Sequence, residues 1–63
     1  MNAYDFYKKH GRDRCKVIAE DAGTTLEYFL QLVYKQRRPS RKLAVRLEES
    51  SKREMKAVEL LLG

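Results

Sequence analysis

The chain has 63 residues, and 14 Lys and Arg against 9 Asp and Glu give it a net charge of +5. A chain this short forms one domain at most and buries only about 60% of the surface its unfolded form exposes. Its single cysteine, Cys15, excludes an intrachain disulfide, and one Cys with one His cannot build a four-ligand zinc centre.

The fold must therefore rest on an apolar core, which self-association can extend, and the composition allows one: 43% of the residues are hydrophobic, with three glycines and one proline. There is no internal repeat or low-complexity run. The N-terminal MNAYDFYKKH lacks the apolar region of a signal peptide, and no window approaches the ~20 apolar residues of a membrane span. A lone thiol fits a reducing cytoplasm. The basic balance favours a polyanionic partner, either nucleic acid or an anionic membrane face.

In chain order, every signal is helical. Asn2 and Asp5 supply a cap pair for a first helix carrying Ala3, Phe6 and Tyr7, which His10 and Gly11 close. A second helix runs from about Arg12 or Asp13 to Ala22, with Cys15, Ile18, Ala19 and Ala22 on one face of a 3.6-residue period, and Gly23 ends it. Thr24-Thr25-Leu26-Glu27 reads as a capping box that starts a third helix at Thr25. Arg37-Arg38-Pro39 stops that helix, because proline disfavours helical geometry in the residue before it. Ser40 then caps a fourth helix with Leu43, Ala44 and Leu47 on one face. Ser51 to Glu54 reads as a further capping box, opening a fifth helix that bears Met55, Val58, Leu61 and Leu62. The expected fold class is a compact all-α bundle of about five short helices.

The segment Ile18–Ser40 concentrates the functional signal. Two helices joined by a short glycine turn form a helix-turn-helix, in which Ala19 permits close approach and Gly23 supplies a positive φ. Ile18, Ala22, Phe29 and Leu32 are its expected shared core. Periodicity alone draws a different stripe, Leu26, Phe29, Leu30 and Val33. No Asp or Glu occurs between Tyr28 and Leu47, a stretch that holds Lys35, Arg37, Arg38, Arg41, Lys42 and Arg46.

The segment AGTTLEYFLQLVYKQRRPSRKLAVRLEESS resembles the lambda-repressor and Cro-like helix-turn-helix regulators of phages and prophages, and most of all their small Cro-like or YdaS-like members. The matching residues are Gly23, Thr24, Thr25, Leu26, Tyr28, Gln31, Arg37, Arg38, Pro39, Ser40, Leu43, Ala44, Arg46 and Glu48. The resemblance covers roughly residues 11 to 51. The family pattern usually continues with a Gly-Gly turn, where this chain has Lys52-Arg53.

The resemblance implies that the third helix reads bases in duplex DNA, through Thr25, Leu26, Glu27, Tyr28 and Gln31. A glutamine carboxamide can pair bidentately with adenine, and a glutamate can accept from cytosine or serve its own helix cap. It also turns Leu26 and Leu30 toward the groove, where a leucine can touch a thymine methyl. Lys35, Arg37, Arg38, Ser40, Arg41 and Lys42 are the candidate phosphate contacts. They flank a helix start whose free N–H groups already favour an anion.

His10 at a helix end suits a dipole partner, and Cys15 suits the core. No nucleophile constellation, paired carboxylates or glycine-rich phosphate loop appears, so neither an enzyme nor a cofactor nor a small-molecule substrate is expected. The partners expected are double-stranded DNA and a second copy of the chain, with Leu60-Leu61-Leu62 as the dimer surface or else a cap on the core. Two rivals remain: a protein-interaction module, antitoxin-like or host-inhibiting, and a basic domain on an anionic membrane. The membrane reading is the weaker, since the cations flank a capped helix rather than line one amphipathic face.

Overall fold

The computed structural model describes residues 1–62, and among them there are four helices and no strand: α1 (Ala3–Asp21), α2 (Leu26–Val33), α3 (Arg41–Ser50) and α4 (Ala57–Leu62). The radius of gyration is 9.6 Å, below the roughly 11 Å of a typical compact chain of this length. Buried residues from all four helices gather in one cluster, among them Phe6, Ile18, Phe29, Leu47 and Leu60, with Met55 from the segment before α4.

The first two expected helices are one element with a break. Asn2 caps it, its side-chain oxygen accepting from the Asp5 N–H at 2.8 Å. At Gly11 the backbone leaves the helix, with φ 84 and ψ 175, a region essentially restricted to glycine. Helical turns resume at once on the far side, so the two halves follow each other without a loop. The second half buries Cys15, Ile18 and Ala19, with Ala22 as the C-cap, as the periodicity predicts.

Three helix ends share one device. In a Schellman motif the residue after the C-cap turns left-handed, and two N–H groups bond back to carbonyls of the last turn. After α1, Gly23 (φ 86) donates to the Glu20 carbonyl and Thr24 to that of Ala19. After α2, Lys35 (φ 60) donates to Leu32 and Gln36 to Gln31. After α3, Lys52 (φ 55) donates to Glu49 and Arg53 (φ 67) to Glu48. Only the first uses glycine.

These ends correct three expectations. The helix after the turn stops at Val33, well before Pro39, because the Schellman motif at Lys35 closes it first. Its N-cap is Thr25 rather than Thr24: the Thr25 hydroxyl accepts from the Tyr28 N–H at 3.1 Å, while the Thr24 N–H is spent on the Ala19 carbonyl. Ser51 does not start a helix. It is the buried C-cap of α3, its hydroxyl donating to the Glu48 carbonyl and accepting from the Met55 N–H at 3.0 Å.

The last helix is accordingly only six residues, too short to hold by itself. The Glu48 carboxylate accepts from the Ala57 N–H at 2.7 Å and places negative charge at the positive end of α4. Met55 and Leu60 anchor the segment in the core, whereas Val58 and Leu62 are exposed. Glu54, expected in a local capping box, instead reaches back to α1. Its Oε2 accepts from His10 Nε2 at 2.5 Å and its Oε1 lies 3.8 Å from Lys9 Nζ. His10 is therefore a tertiary partner of that carboxylate, its ring also packed on Phe6 with centroids 4.4 Å apart.

Candidate nucleic-acid interface

α2 is an eight-residue helix, about 12 Å long, packed against α1. Phe29, Leu32 and Val33 are buried, at 0, 7 and 1% exposure. Leu26 and Leu30 are half-buried and pack against the same core. The two anticipated stripes thus merge: one contributes Leu32, the other Val33, and neither leucine in dispute is wholly inside or outside.

The other face of α2 carries Thr25, Glu27, Tyr28 and Gln31. Thr25 and Glu27 are exposed, Tyr28 and Gln31 half-buried. The Thr25 hydroxyl is already engaged as the helix cap. Among the described residues the Glu27 carboxylate makes no ion pair or hydrogen bond, since the Thr24 N–H it was expected to cap is used elsewhere. Gln31 is different. Its Oε1 is buried without a hydrogen-bond partner, so presenting both amide atoms outward requires the amide to rotate. An unsatisfied buried acceptor costs about 1–3 kcal/mol, which favours that rotation whenever a donor is offered.

The cations follow. Lys35, Arg37, Arg38, Arg41 and Lys42 are all exposed, and among the described residues none lies within ion-pair distance of a carboxylate. The Arg37 guanidinium sits 5.9 Å from the Tyr28 ring centroid, which ties the segment after α2 to the face of α2 itself. Lys35, Arg37 and Arg38 border one small cavity of about 20 Å³ with the buried Pro39. Arg41 and Lys42 open α3, where the Ser40 hydroxyl accepts from the Leu43 N–H at 3.1 Å. The first N–H groups of that helix have no intrahelical acceptor, so its dipole adds to the positive potential there.

Two groupings of residues escaped the sequence reading. Arg12 and Lys16, on the second half of α1, line an open cleft of about 450 Å³ with Asp13, Glu20, Thr25, Leu26 and Glu27, so charges of both signs flank the start of α2. Their spacing of four marks a shared helical face, but the mixture with Asp13 and Glu20 hid the signal. Tyr4 and Tyr34 border a second cleft. They lie 30 residues apart in sequence, and no local pattern links them.

Burial pushes the Cys15 thiol up to about 11, which leaves it an inert core residue at neutral pH. Among the described residues no group of three His, Cys, Asp or Glu side chains is placed to hold a metal ion, and no helix is long and apolar enough to cross a membrane. Comparison of the chain with protein-family models, curated proteins and solved structures found no match.

Proposed function

We propose that the chain is a sequence-specific double-stranded DNA-binding regulator of the phage Cro and repressor type, which acts in the bacterial cytoplasm by occupying an operator. The second half of α1, the Gly23 turn and α2 would form its helix-turn-helix, with α2 in the major groove. The observation that carries this reading is the set Lys35, Arg37, Arg38, Arg41 and Lys42: five exposed cations without carboxylate partners among the described residues, at the end of α2 and the start of α3. Cations left uncompensated in one short stretch of a small domain suit a polyanion, and phosphate contacts there position a helix without reading sequence.

A second observation supports the family resemblance. Lys52 and Arg53, which replace the family's Gly-Gly, both have positive φ, at 55 and 67. The backbone keeps a left-handed turn that glycine would adopt without strain.

Base reading then falls to Thr25, Leu26, Glu27, Tyr28 and Gln31. Glu27 is free to accept from cytosine, and Gln31 can pair with adenine once its amide rotates. A two-fold operator requires a homodimer with half-sites about 34–36 Å apart. Leu60 belongs to the core, so the dimer surface is better sought at Val58 and Leu62, exposed at 65 and 80%.

Selection of bound sequences from a random duplex library tests the reading. Recovery of a palindrome supports both the readout and the symmetry, and an unenriched pool rejects sequence-specific function. The alternative is a protein-interaction module, favoured by the half-buried Leu26 and Leu30 on α2. It predicts a stoichiometric protein partner and no duplex binding.

A further inference from the structure

We propose that the cleft between Tyr4 and Tyr34 binds unpaired nucleotides, giving the chain a single-stranded nucleic-acid site at the far end of α2 from Thr25. This goes beyond duplex reading and shares with it only the cations Lys35, Arg37 and Arg38.

The cleft is open, about 310 Å³ in volume, and is lined by Asn2, Tyr4, Val33, Tyr34 and Lys35. Its two aromatic walls come from opposite parts of the chain, Tyr4 on the first turn of α1 and Tyr34 at the C-cap of α2. Both are among the exposed large hydrophobic residues, at 44 and 58% exposure. Neither ring fills the core. Tyr34 is also held in place: Tyr7 meets it edge-on with centroids 6.4 Å apart, and its backbone N–H donates to the Leu30 carbonyl at 3.0 Å. Tyr34 thus stands on a fixed backbone with one ring neighbour, and its outer surface is open to a flat partner.

Charge selects the partner. Lys35 is part of the cleft, and its backbone is fixed by the Schellman motif. Asn2, Tyr4, Val33 and Lys35 also line the adjoining small cavity, whose rim holds Arg37 and Arg38. Aromatic walls therefore run directly into three cations that have no carboxylate among the described residues. A nucleobase supplies the flat face and its phosphates supply the charge, which is the combination single-strand binders use. A duplex cannot enter this way, because its bases are already stacked.

Fluorescence anisotropy with a labelled thymidine 12-mer at ~50 mM salt tests the assignment, beside uridine and abasic strands of equal length and a random duplex. The wild-type chain is expected to bind the thymidine or the uridine strand, their ratio showing whether DNA or RNA is preferred. The abasic strand, with the same phosphates, is expected to bind about tenfold more weakly or worse. Tyr34→Ala with Tyr4→Ala should lower single-strand affinity by at least about tenfold. Tyr34→Phe should retain it and duplex affinity should stay unchanged. Circular dichroism checks that the double variant, altered only at exposed positions, is folded. Equal binding of the abasic strand, unchanged affinity in the double variant, or no single-strand binding by the wild type overturns the proposal. So does tighter binding of an acidic glutamate–tyrosine copolymer, which would make the occupant a peptide. Loss of duplex binding alone would strike the operator reading and leave this site standing.

Discussion

The guanidinium of Arg37 lies 5.9 Å from the centre of the half-buried Tyr28 ring, joining the segment after α2 to the helix itself. The Arg37 backbone N–H reinforces the link, donating to the Gln31 carbonyl at 3.3 Å. In the proposed reading a cation held over a ring on the helix face would carry its charge to the DNA beside α2, whereas Arg38, without an aromatic partner among the described residues, is charge alone.

That difference gives the first prediction. Arg38→Ala should weaken all duplex sequences alike and reduce the salt slope of binding by about one unit. Arg37→Ala should do the same and in addition alter sequence preference, because Tyr28 loses its support. Anisotropy titrations over a salt series on a selected and a random duplex separate the two. Identical profiles for both variants would show that the Tyr28 contact has no part in readout.

Helix capping gives a second. Thr25→Ala should cost about 1 kcal/mol in a urea titration, since its hydroxyl holds the Tyr28 N–H, and Ser40→Ala should cost a similar amount. Thr24→Ala should be close to neutral. Equal losses at Thr24 and Thr25 would contradict the cap assignment.

Backbone conformation gives a third. Lys52 adopts φ 55 without the freedom of glycine, so Lys52→Gly should stabilise the fold by about 1 kcal/mol, the penalty of a left-handed non-glycine residue. Gly11→Ala should destabilise by about 1–3 kcal/mol although, among the described residues, the added methyl meets nothing within 4 Å beyond the local backbone, because φ 84 with ψ 175 is itself the obstacle. Denaturant midpoints of the two variants moving in the same direction would refute this reading of the turns.

Acid should loosen the contact between α1 and the segment before α4. The hydrogen bond from His10 holds the Glu54 carboxyl below its usual value of 4.5, with the charges of His10, Lys9 and Arg14 helping and desolvation opposing. The unfolded chain then binds the proton more readily than the folded one. The stability this contributes is present above pH 4.5 and is lost as pH falls through the lowered folded value. Glu54→Gln should show a flatter decline in chemical stability below pH 4.5 than the wild type. Parallel curves would mean that Glu54 contributes no acid sensitivity.

Much of this was legible because the deciding interactions are local. Asn2, Gly11, Gly23 and Ser40 each act within a few residues of themselves, and the face Cys15, Ile18, Ala19 and Ala22 is buried as its spacing requires. The failures are non-local or lack a residue signature. Ser51 and Glu54 have the spacing of a capping box, but Ser51 is drawn into the core and Glu54 is taken by His10, 44 residues away. Lys35 and Lys52 close helices in a conformation that glycine would have advertised and lysine conceals. At the candidate site, the exposure of the cations was readable from an acid-free stretch. The inward turn of the Gln31 oxygen and the meeting of Tyr4 with Tyr34 depend on tertiary packing.

The central claim is that the cations around α2 and α3 serve a nucleic-acid phosphate backbone. A titration of the purified chain with random duplex DNA, repeated between ~50 and ~200 mM salt, tests it most directly. The account predicts binding at low salt and a linear fall of log affinity with log salt, flattened by about two units in the Arg37→Ala, Arg38→Ala double variant. No duplex binding at ~50 mM salt, or binding that salt and the double variant leave unchanged, would contradict it.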